Sequence, residues 1–425
     1  MKNLTPLFVF FAFVCSLLAQ EYFAQSTKES FFLVVLSVCL ISFLLSLFCL
    51  KLILKAKKQL AIQNNKAVIK KADADAALFA LLKTMTSTTE GDLKAARKHL
   101  KTLEGFIGKT VLTDILELKI LKGEKNFDGV EKLSFKLLKN KDAELVGLKA
   151  LIETSAKKNN LDEALLSANR AFEARQDLYW VIENAYYLRA HSNDWLGALE
   201  VLESGFKKKL ISSEKYAQFK AVALYCLSLT QTKNGQDLNA QKCLNQACHL
   251  APDFVPSALD LAANLKKSGQ IERAKKTLLN TWRHYPTYEV AKAYLALFEN
   301  ESHLEQVLRL ENLAHLNHKD ASLNNFMLAE YDMKAGLYDK ARAEFEVFLI
   351  NNPATKKIAA LIEKYEKKVN HNTKAAENWH KRTQTCADDC LWVCKHCQAQ
   401  TSKWKPFCSK CAAFNPFHWY LYLKK

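Results

Sequence analysis

Glycine and proline are scarce in this sequence, numbering 11 and 7 among 425 residues. Turns between strands depend on both residue types, so their scarcity argues against a β-rich fold. No Ser-His-Asp order, glycine-rich phosphate loop or HExxH helix motif occurs in the chain. The abundant residues are alanine, leucine and lysine, which cost little in a helix interior. The composition therefore predicts a non-catalytic, all-α protein of two or three units.

The net charge of the chain is +17. Its lysines are spread along the sequence, with one dense block directly after the second of two apolar N-terminal segments. A basic block beside an apolar segment suits the anionic face of a membrane better than it suits a nucleic acid. We therefore expect membrane lipids, and no nucleic acid, among the partners.

Two apolar segments without charge occur at residues 3–20 and 30–50. The second has 21 residues, enough to cross the hydrocarbon core of a membrane. The first is shorter, and the alternative is a cleaved signal peptide, but only Lys2 precedes it and no A-x-A-like cleavage site is evident. Region 1–54 is therefore predicted to hold two transmembrane helices, at about 4–20 and 30–50.

The flanking charges set the orientation of these two helices. Seven lysines follow the second segment before the first acidic residue, Asp73: Lys51, Lys55, Lys57, Lys58, Lys66, Lys70 and Lys71. The positive-inside rule then places both termini and everything after residue 50 in the cytoplasm. Residues 55–71 are predicted to form a basic juxtamembrane linker. A cytoplasmic location also means that the cysteine thiols remain reduced and available to a metal.

An internal repeat begins at residue 72, where apolar-periodic stretches alternate with short polar breaks. A small residue recurs early in each second helix at intervals of 34, 34, 34, 42, 34, 33 and 34: Ala96, Val130, Ala164, Ala198, Ala240, Ala274, Val307 and Ala341. A period of 34 with a small residue at this position is typical of tetratricopeptide repeats. Residues 72–353 are therefore predicted to form an α-solenoid of about eight helix pairs, followed by a helical segment at 354–385.

The 42-residue interval indicates an insertion of eight residues within 210–233. The first helix of the fifth pair is therefore predicted to be one or two turns longer than the others. Aromatic residues in the first helices have two interpretations, core packing or binding anchors for a partner: Tyr179, Trp180, Tyr186, Tyr187 and Tyr294. Solenoids of this kind bind protein partners in a concave groove.

Four cysteines near the C-terminus form two C-x2-C pairs separated by ten residues: Cys394, Cys397, Cys408 and Cys411. Two such turns can place four thiolates around one metal ion, and four sulfurs leave no position open for a substrate. The prediction is a structural metal ribbon at 386–425, with zinc favoured and a rubredoxin-type iron as the alternative. Flanking aromatic residues are predicted to form a miniature core around the ion: Trp392, Trp404, Phe407, Phe414 and Trp419.

Two more cysteines, Cys386 and Cys390, precede the ribbon at C-x3-C spacing. Three interpretations are open for this pair: helical i, i+4 thiols, extra metal ligands or a redox pair. The favoured interpretation is that they take no part in metal binding or redox chemistry. His396, between two ligands, is predicted to face solvent. Turns of this type usually have glycine after the second cysteine, yet these positions hold Gln398 and Ala412.

The whole chain resembles HemY-type proteins, bacterial inner-membrane tetratricopeptide proteins associated with the late steps of haem biosynthesis. The resemblance rests on the double apolar N-terminus, on 194–200 (DWLGALE), 250–256 (LAPDFVP) and 274–282 (AKKTLLNTW), and on the ending W-x-C-x2-C…W-x-P-x-C-x2-C. It implies a scaffold in the bacterial inner membrane that organises haem-synthesis enzymes and has no active site of its own.

Two other functions remain as alternatives. The chain also resembles LapB, an adaptor of lipopolysaccharide assembly with a rubredoxin-type ribbon of similar spacing, although that family has one span and this sequence has two. The third possibility is a redox or haem-handling protein that uses Cys386 and Cys390.

Overall fold

The computed structural model describes residue 51, residues 71–316 and residues 320–422, which fall into two compact units divided between Gly147 and Leu148. Both predicted transmembrane segments, and most of the basic linker, lie outside the described residues. Among the helices that are described, none is both long enough and apolar enough to span a membrane.

The described residues form eighteen α-helices and three β-strands. The helices are α1 Lys71–Glu90, α2 Leu93–Ile107, α3 Val111–Gly123, α4 Phe127–Leu137, α5 Glu144–Lys157, α6 Leu161–Ala174, α7 Tyr179–His191, α8 Trp195–Lys207, α9 Ser213–Lys233, α10 Asp237–Leu250, α11 Val255–Lys267, α12 Ile271–His284, α13 Tyr288–Leu295, α14 His303–Leu316, α15 Ala321–Ala335, α16 Tyr338–Asn351, α17 Lys356–Lys368 and α18 Thr373–Thr383. The strands are β1 Asp389–Cys394, β2 Gln400–Thr401 and β3 Phe417–Tyr422. We number the helix pairs in chain order, from pair 1 (α1 and α2) to pair 9 (α17 and α18).

The turn inside each of pairs 1 to 4 repeats one backbone conformation. A residue with positive φ ends the first helix, and in pairs 1 to 4 these residues recur every 34 positions: Gly91, Lys125, Asn159 and Asn193. The next residue caps the second helix, its side chain accepting a hydrogen bond from the amide three positions later: Asp92, Asn126, Asn160 and Asp194. Each cap satisfies an amide that the helix itself leaves without a partner. The sequence period is therefore also a period of backbone geometry.

The small residues of the repeat lie where the two helices of a pair approach closely. All eight positions, from Ala96 to Ala341, are at most 1% exposed. Three prolines lie between pairs, as expected for residues that cannot continue a helix: Pro252, Pro286 and Pro353. The prediction of an all-α helical-repeat fold is confirmed for the described residues.

A larger side chain at one of these crossings is expected to destabilise the second unit. Ala198 is fully buried in α8, so Ala198→Leu must displace packed atoms at a cost of about 1–3 kcal/mol in the free energy of unfolding. Denaturant unfolding of the purified chain measures this change. Leu196, two residues earlier and 66% exposed, provides the control, since Leu196→Ala should change stability by less than about 0.5 kcal/mol. Equal effects of the two variants would contradict the crossing assignment.

The first helix of pair 5 is longer than its neighbours, as the 42-residue interval predicts. Helix α9 has 21 residues, whereas α7 and α11, the first helices on either side, have 13 each. The insertion therefore extends one helix and leaves the order of pairs unchanged.

Each unit has its own hydrophobic core. In the first unit, Leu81, Leu100 and Leu116 bring α1, α2 and α3 together. In the second unit the core runs through successive pairs around fully buried residues such as Trp282 and Phe326, and it continues into the C-terminal sheet through Trp419. The sheet is thus part of the second unit.

Candidate metal centre

The C-terminal ribbon, residues 386–422, is built on a three-stranded antiparallel sheet in the order β2-β1-β3. Its central strand β1 ends at Cys394, and Trp392 of this strand pairs with Trp419 of β3. A bridge between Thr355 and Ala387 joins the ribbon to the residue before α17. The sheet therefore holds the first cysteine turn against the helices.

The two C-x2-C turns have the same backbone geometry. In the first turn the Gln398 amide donates to the Cys394 carbonyl at 3.0 Å, and in the second the Ala412 amide donates to the Cys408 carbonyl at 2.8 Å. Gln398 and Ala412 have φ of 58° and 55°, the left-handed conformation that glycine usually provides. Both turns therefore form without glycine, and the backbone of Gln398 and Ala412 is strained as a result.

The four thiols predicted as ligands come together in one cluster. Their sulfur atoms all lie within 4.8 Å of one another, with Cys394 and Cys411 3.6 Å apart and Cys397 and Cys408 3.5 Å apart. Sulfurs bound at about 2.3 Å to a tetrahedral ion would be about 3.8 Å apart, so the spacing fits such an ion. The cluster can therefore bind a metal ion.

Backbone amides around the cluster favour the thiolate form that metals bind. Burial opposes ionisation of Cys408, but amides of Cys411 and Lys410, with neighbouring thiols, lower its pKa to about 6. The pKa of Cys411 is raised to about 12, although the Ala413 amide favours its thiolate, because the other thiols of the cluster oppose a further negative charge. A cation would relieve this repulsion.

The other residues discussed for metal binding lie outside this cluster. Cys386 and Cys390 are not part of it, and His396 is exposed, as predicted. Cys390 belongs to β1 and has a φ of 53°, so the interpretation as helical i, i+4 thiols is wrong. Burial raises the pKa of Cys390 to about 12, which keeps it a thiol at neutral pH and makes it a poor nucleophile.

Glycine at the two strained positions is expected to stabilise the ribbon. Gln398→Gly or Ala412→Gly removes the cost of a side chain at positive φ, partly offset by the greater freedom of glycine in the unfolded chain. We expect a gain of about 1 kcal/mol for each variant. This gain in the stability of the metal-bound ribbon would be measured by the concentration of competing chelator needed to remove the metal. Ala413→Gly, one position further on, is the control and should weaken the ribbon or leave it unchanged.

The cysteine end of the ribbon packs against first helices of the second unit. The ring of Phe414 lies 5.4, 5.5 and 5.1 Å from the rings of Tyr186, Tyr187 and Phe219, measured between centroids. Trp404 packs in the same way between Tyr225 and Phe254, at 5.5 and 5.0 Å. Helices α7 and α9, with the turn before α11, therefore form an aromatic face beneath the cysteine turns.

The sheet end of the ribbon is fixed by hydrogen bonds to the end of pair 6 and to pairs 7 and 9. The Tyr285 hydroxyl donates to the Trp419 carbonyl and accepts from the Trp419 amide, each at 3.2 Å. The Trp392 indole donates to Glu289 at 3.2 Å, and the Lys357 amide donates to a carboxylate oxygen of Asp389 at 2.9 Å. The ribbon thus has two kinds of contact, aromatic at the cysteine end and polar at the sheet end.

These contacts revise the interpretation of the aromatic residues. Trp404, Phe407 and Phe414 do not close a self-contained core around the cluster but pack outward on the helices. Tyr186 and Tyr294 are buried core residues, whereas Tyr179 is exposed. The sequence interpretation missed Phe219, Tyr225 and Phe254. The extended helix α9 was the available signal for the first two.

A cavity of about 190 Å³ remains between the ribbon and the helices. Its lining includes Phe254 and Tyr285 from the helix side, and Trp392, Trp404 and His418 from the ribbon. The ribbon therefore covers the aromatic face without filling all the space against it.

Glu289, which accepts the hydrogen bond from Trp392 of the ribbon, makes the stability of the second unit depend on pH. Burial raises its pKa to about 7, although the bond from Trp392 and the charge of Lys292 act in the opposite direction. Because the folded chain binds this proton more tightly than the unfolded chain does, stability should fall as pH rises from about 4.5 to 7 and then level off. Glu289→Gln should remove this slope and raise stability at pH 8 by roughly 2 kcal/mol.

Melting temperatures at pH 5 and pH 8 test this expectation. Glu272→Gln is the matched control, because Glu272 is a highly exposed side chain on α12. An unchanged pH slope in Glu289→Gln would mean that Glu289 remains ionised across the range.

Comparison with known proteins places the chain only broadly. No profile of a known protein family matches it. A probable magnetosome protein, Mms48, from Magnetospirillum gryphiswaldense is 23% identical over 256 residues, which cover 60% of this chain. The chain spans about half the length of that relative, 55%.

Solved structures of low similarity include MamA (14% identity, TM-score 0.28, 43% of this chain and 94% of that chain). Another is a tetratricopeptide repeat protein from Parabacteroides merdae (14% identity, TM-score 0.22, 73% and 93%). The TM-scores are too low for either likeness to support an argument. The helical-repeat fold is established by the period, caps and crossings of this chain itself.

Proposed function

We propose that the chain is a non-catalytic scaffold that binds protein partners through its stack of helix pairs. The observation that carries this proposal is the repeat, in which a small residue early in the second helix of eight pairs is at most 1% exposed. Stacks of this kind present extended surfaces made of residues from several repeats, which suits protein partners better than small substrates.

The second part of the proposal is a structural zinc ion held by Cys394, Cys397, Cys408 and Cys411. A closed set of four thiolates supports a structural role, and zinc accepts this geometry without redox chemistry. Rubredoxin-type iron is the alternative. Elemental analysis of the purified chain should give about one zinc per chain, and visible absorption from an iron–thiolate centre would assign iron instead.

The finer proposal is that the scaffold organises late haem-biosynthesis enzymes at the bacterial inner membrane. The resemblance in sequence to HemY-type proteins supports this role, and the two apolar segments with their lysine-rich exit support a multi-pass anchor whose repeats face the cytoplasm. The basic linker would contact anionic lipids.

Chemical cross-linking and co-purification of the tagged full chain from membranes tests the partner set. Recovery of late haem-pathway enzymes supports the proposal, and recovery of lipopolysaccharide-assembly factors supports the LapB-like alternative. An untagged strain controls for adhesion to the resin. The absence of both sets from the cross-linked material would contradict the haem role.

A further inference from the structure

We propose that the metal ribbon is a removable cover over a peptide-binding face of the scaffold, and that the metal keeps this cover closed. The proposal rests on the scaffold function and the metal site proposed above. The partner it implies is an extended peptide segment that carries aromatic side chains.

The covered face has the composition of a binding surface. Tyr187, Phe219, Tyr225 and Phe254 come from consecutive repeats, and all four remain only partly buried beneath the ribbon. Rigid aromatic side chains dominate the energetics of protein interfaces, and a row of them without a partner would form an unusually large apolar patch. The ribbon therefore occupies the surface that a partner would use.

The ribbon contacts this face in the way that a peptide ligand would. Its cysteine end inserts individual rings, Trp404 between Tyr225 and Phe254, and Phe414 beside Tyr187 and Phe219. A segment from another protein with aromatic residues at similar spacing can make the same ring contacts. The face thus selects aromatic peptides by the chemistry that already fills it.

The metal is expected to control whether the ribbon covers the aromatic face, because it holds the cysteine turns folded. The segments that present the rings are the cysteine turns themselves, since Phe407 precedes Cys408 directly and Phe414 lies three residues after Cys411. The sheet is too small to hold these turns alone, because β2 has only two residues. Loss of the ion should therefore release the rings.

The tether at the sheet end explains why the cover can close again. The Thr355–Ala387 bridge and the Lys357–Asp389 hydrogen bond attach the start of the ribbon to pair 9. A tethered segment rebinds at a high effective concentration, so it excludes a free peptide while its turns are intact. The cavity under the ribbon shows that this contact is incompletely packed.

Hydroxyl-radical footprinting of the full chain, before and after removal of the metal with a chelator, tests the proposal. Oxidation of Tyr187, Phe219 and Tyr225 should rise several-fold on metal removal and return to its initial level when zinc is restored. Tyr365, 4% exposed within the helical core, serves as the internal control and should not change. Phe414→Ala should raise the oxidation of Tyr187 and Phe219 even with metal bound.

A second measurement tests the partner class with synthetic peptides. Short extended peptides with two or three Phe or Trp residues should bind the metal-free chain and not the metal-loaded chain, and the same peptides with alanine should bind neither form. Metal that binds and is removed without any change in oxidation would overturn the cover. Equal peptide binding by the two forms would do the same. A chain that holds no metal would instead contradict the proposed metal site.

Discussion

Replacing Cys408 with serine is expected to abolish metal binding and unfold residues 386–422 while the helix pairs stay folded. Cys408 is 2% exposed and lies 3.5 Å from Cys397, so the variant removes a buried member of the four-sulfur cluster. Without metal the cysteine turns have only the short sheet and their ring contacts on the helices to hold them, and metal binding supplies on the order of 10 kcal/mol to domains of this kind. This is the largest effect that we expect from a single substitution.

Two measurements separate loss of the ribbon from general unfolding. Elemental analysis should find no metal, and the near-ultraviolet circular dichroism of Trp392 and Trp419 should weaken, because both indoles lose their fixed surroundings in the sheet. The helical signal in the far ultraviolet should remain. Cys386→Ser is the control, since that cysteine lies outside the cluster. A Cys408→Ser chain that keeps its near-ultraviolet spectrum without metal would show that the sheet folds unaided.

The repeat could be predicted from sequence because its determinants are local. A left-handed residue, a helix cap and a small residue recur at fixed distances within a few positions, as in Asn193, Asp194 and Ala198. Each position has a physical reason to favour certain residue types, such as Asn or Asp at the helix cap, so the period is visible without a structure.

The position of the ribbon could not be predicted in the same way. The Tyr285–Trp419 contact joins residues 134 positions apart, and no periodic pattern connects them. In α7, helical spacing makes core packing the default interpretation for Tyr186 and Tyr187, but partner binding also requires an apolar ring at that spacing. The structure adds a third use for Tyr187, contact with another part of the same chain.

The preference for glycine at positive φ is not followed in the two cysteine turns. A left-handed conformation at Gln398 and Ala412 costs about 1–2 kcal/mol for each residue. Tight hydrogen bonds in both turns, and a bound ion, would outweigh that cost. The residue type at such a position is therefore a weak guide to whether the turn forms.

Trp282→Ala is expected to destabilise the second unit by about 3–5 kcal/mol, the second largest effect. Trp282 is 0% exposed, and its indole N–H donates to the Leu313 carbonyl at 2.8 Å, which joins α12 of pair 6 to α14 of pair 7. The substitution leaves a cavity the size of the indole and removes the hydrogen bond. The melting temperature of the unit should fall by roughly 10 °C.

Two further variants divide this effect into its causes. Trp282→Phe keeps most of the ring but not the donor, so it isolates the bond to Leu313 at an expected cost of about 1–3 kcal/mol. Leu304→Ala, at a residue 52% exposed on α14, controls for loss of a surface side chain. Because repeat stability depends on contacts between neighbouring pairs, Trp282→Ala should also split unfolding into two transitions, with the pairs before the break melting apart from those after it. A single transition at a lower temperature would show that the ribbon, which contacts pairs on both sides, holds them together. A melting temperature shifted no further than in Leu304→Ala would contradict the predicted cost.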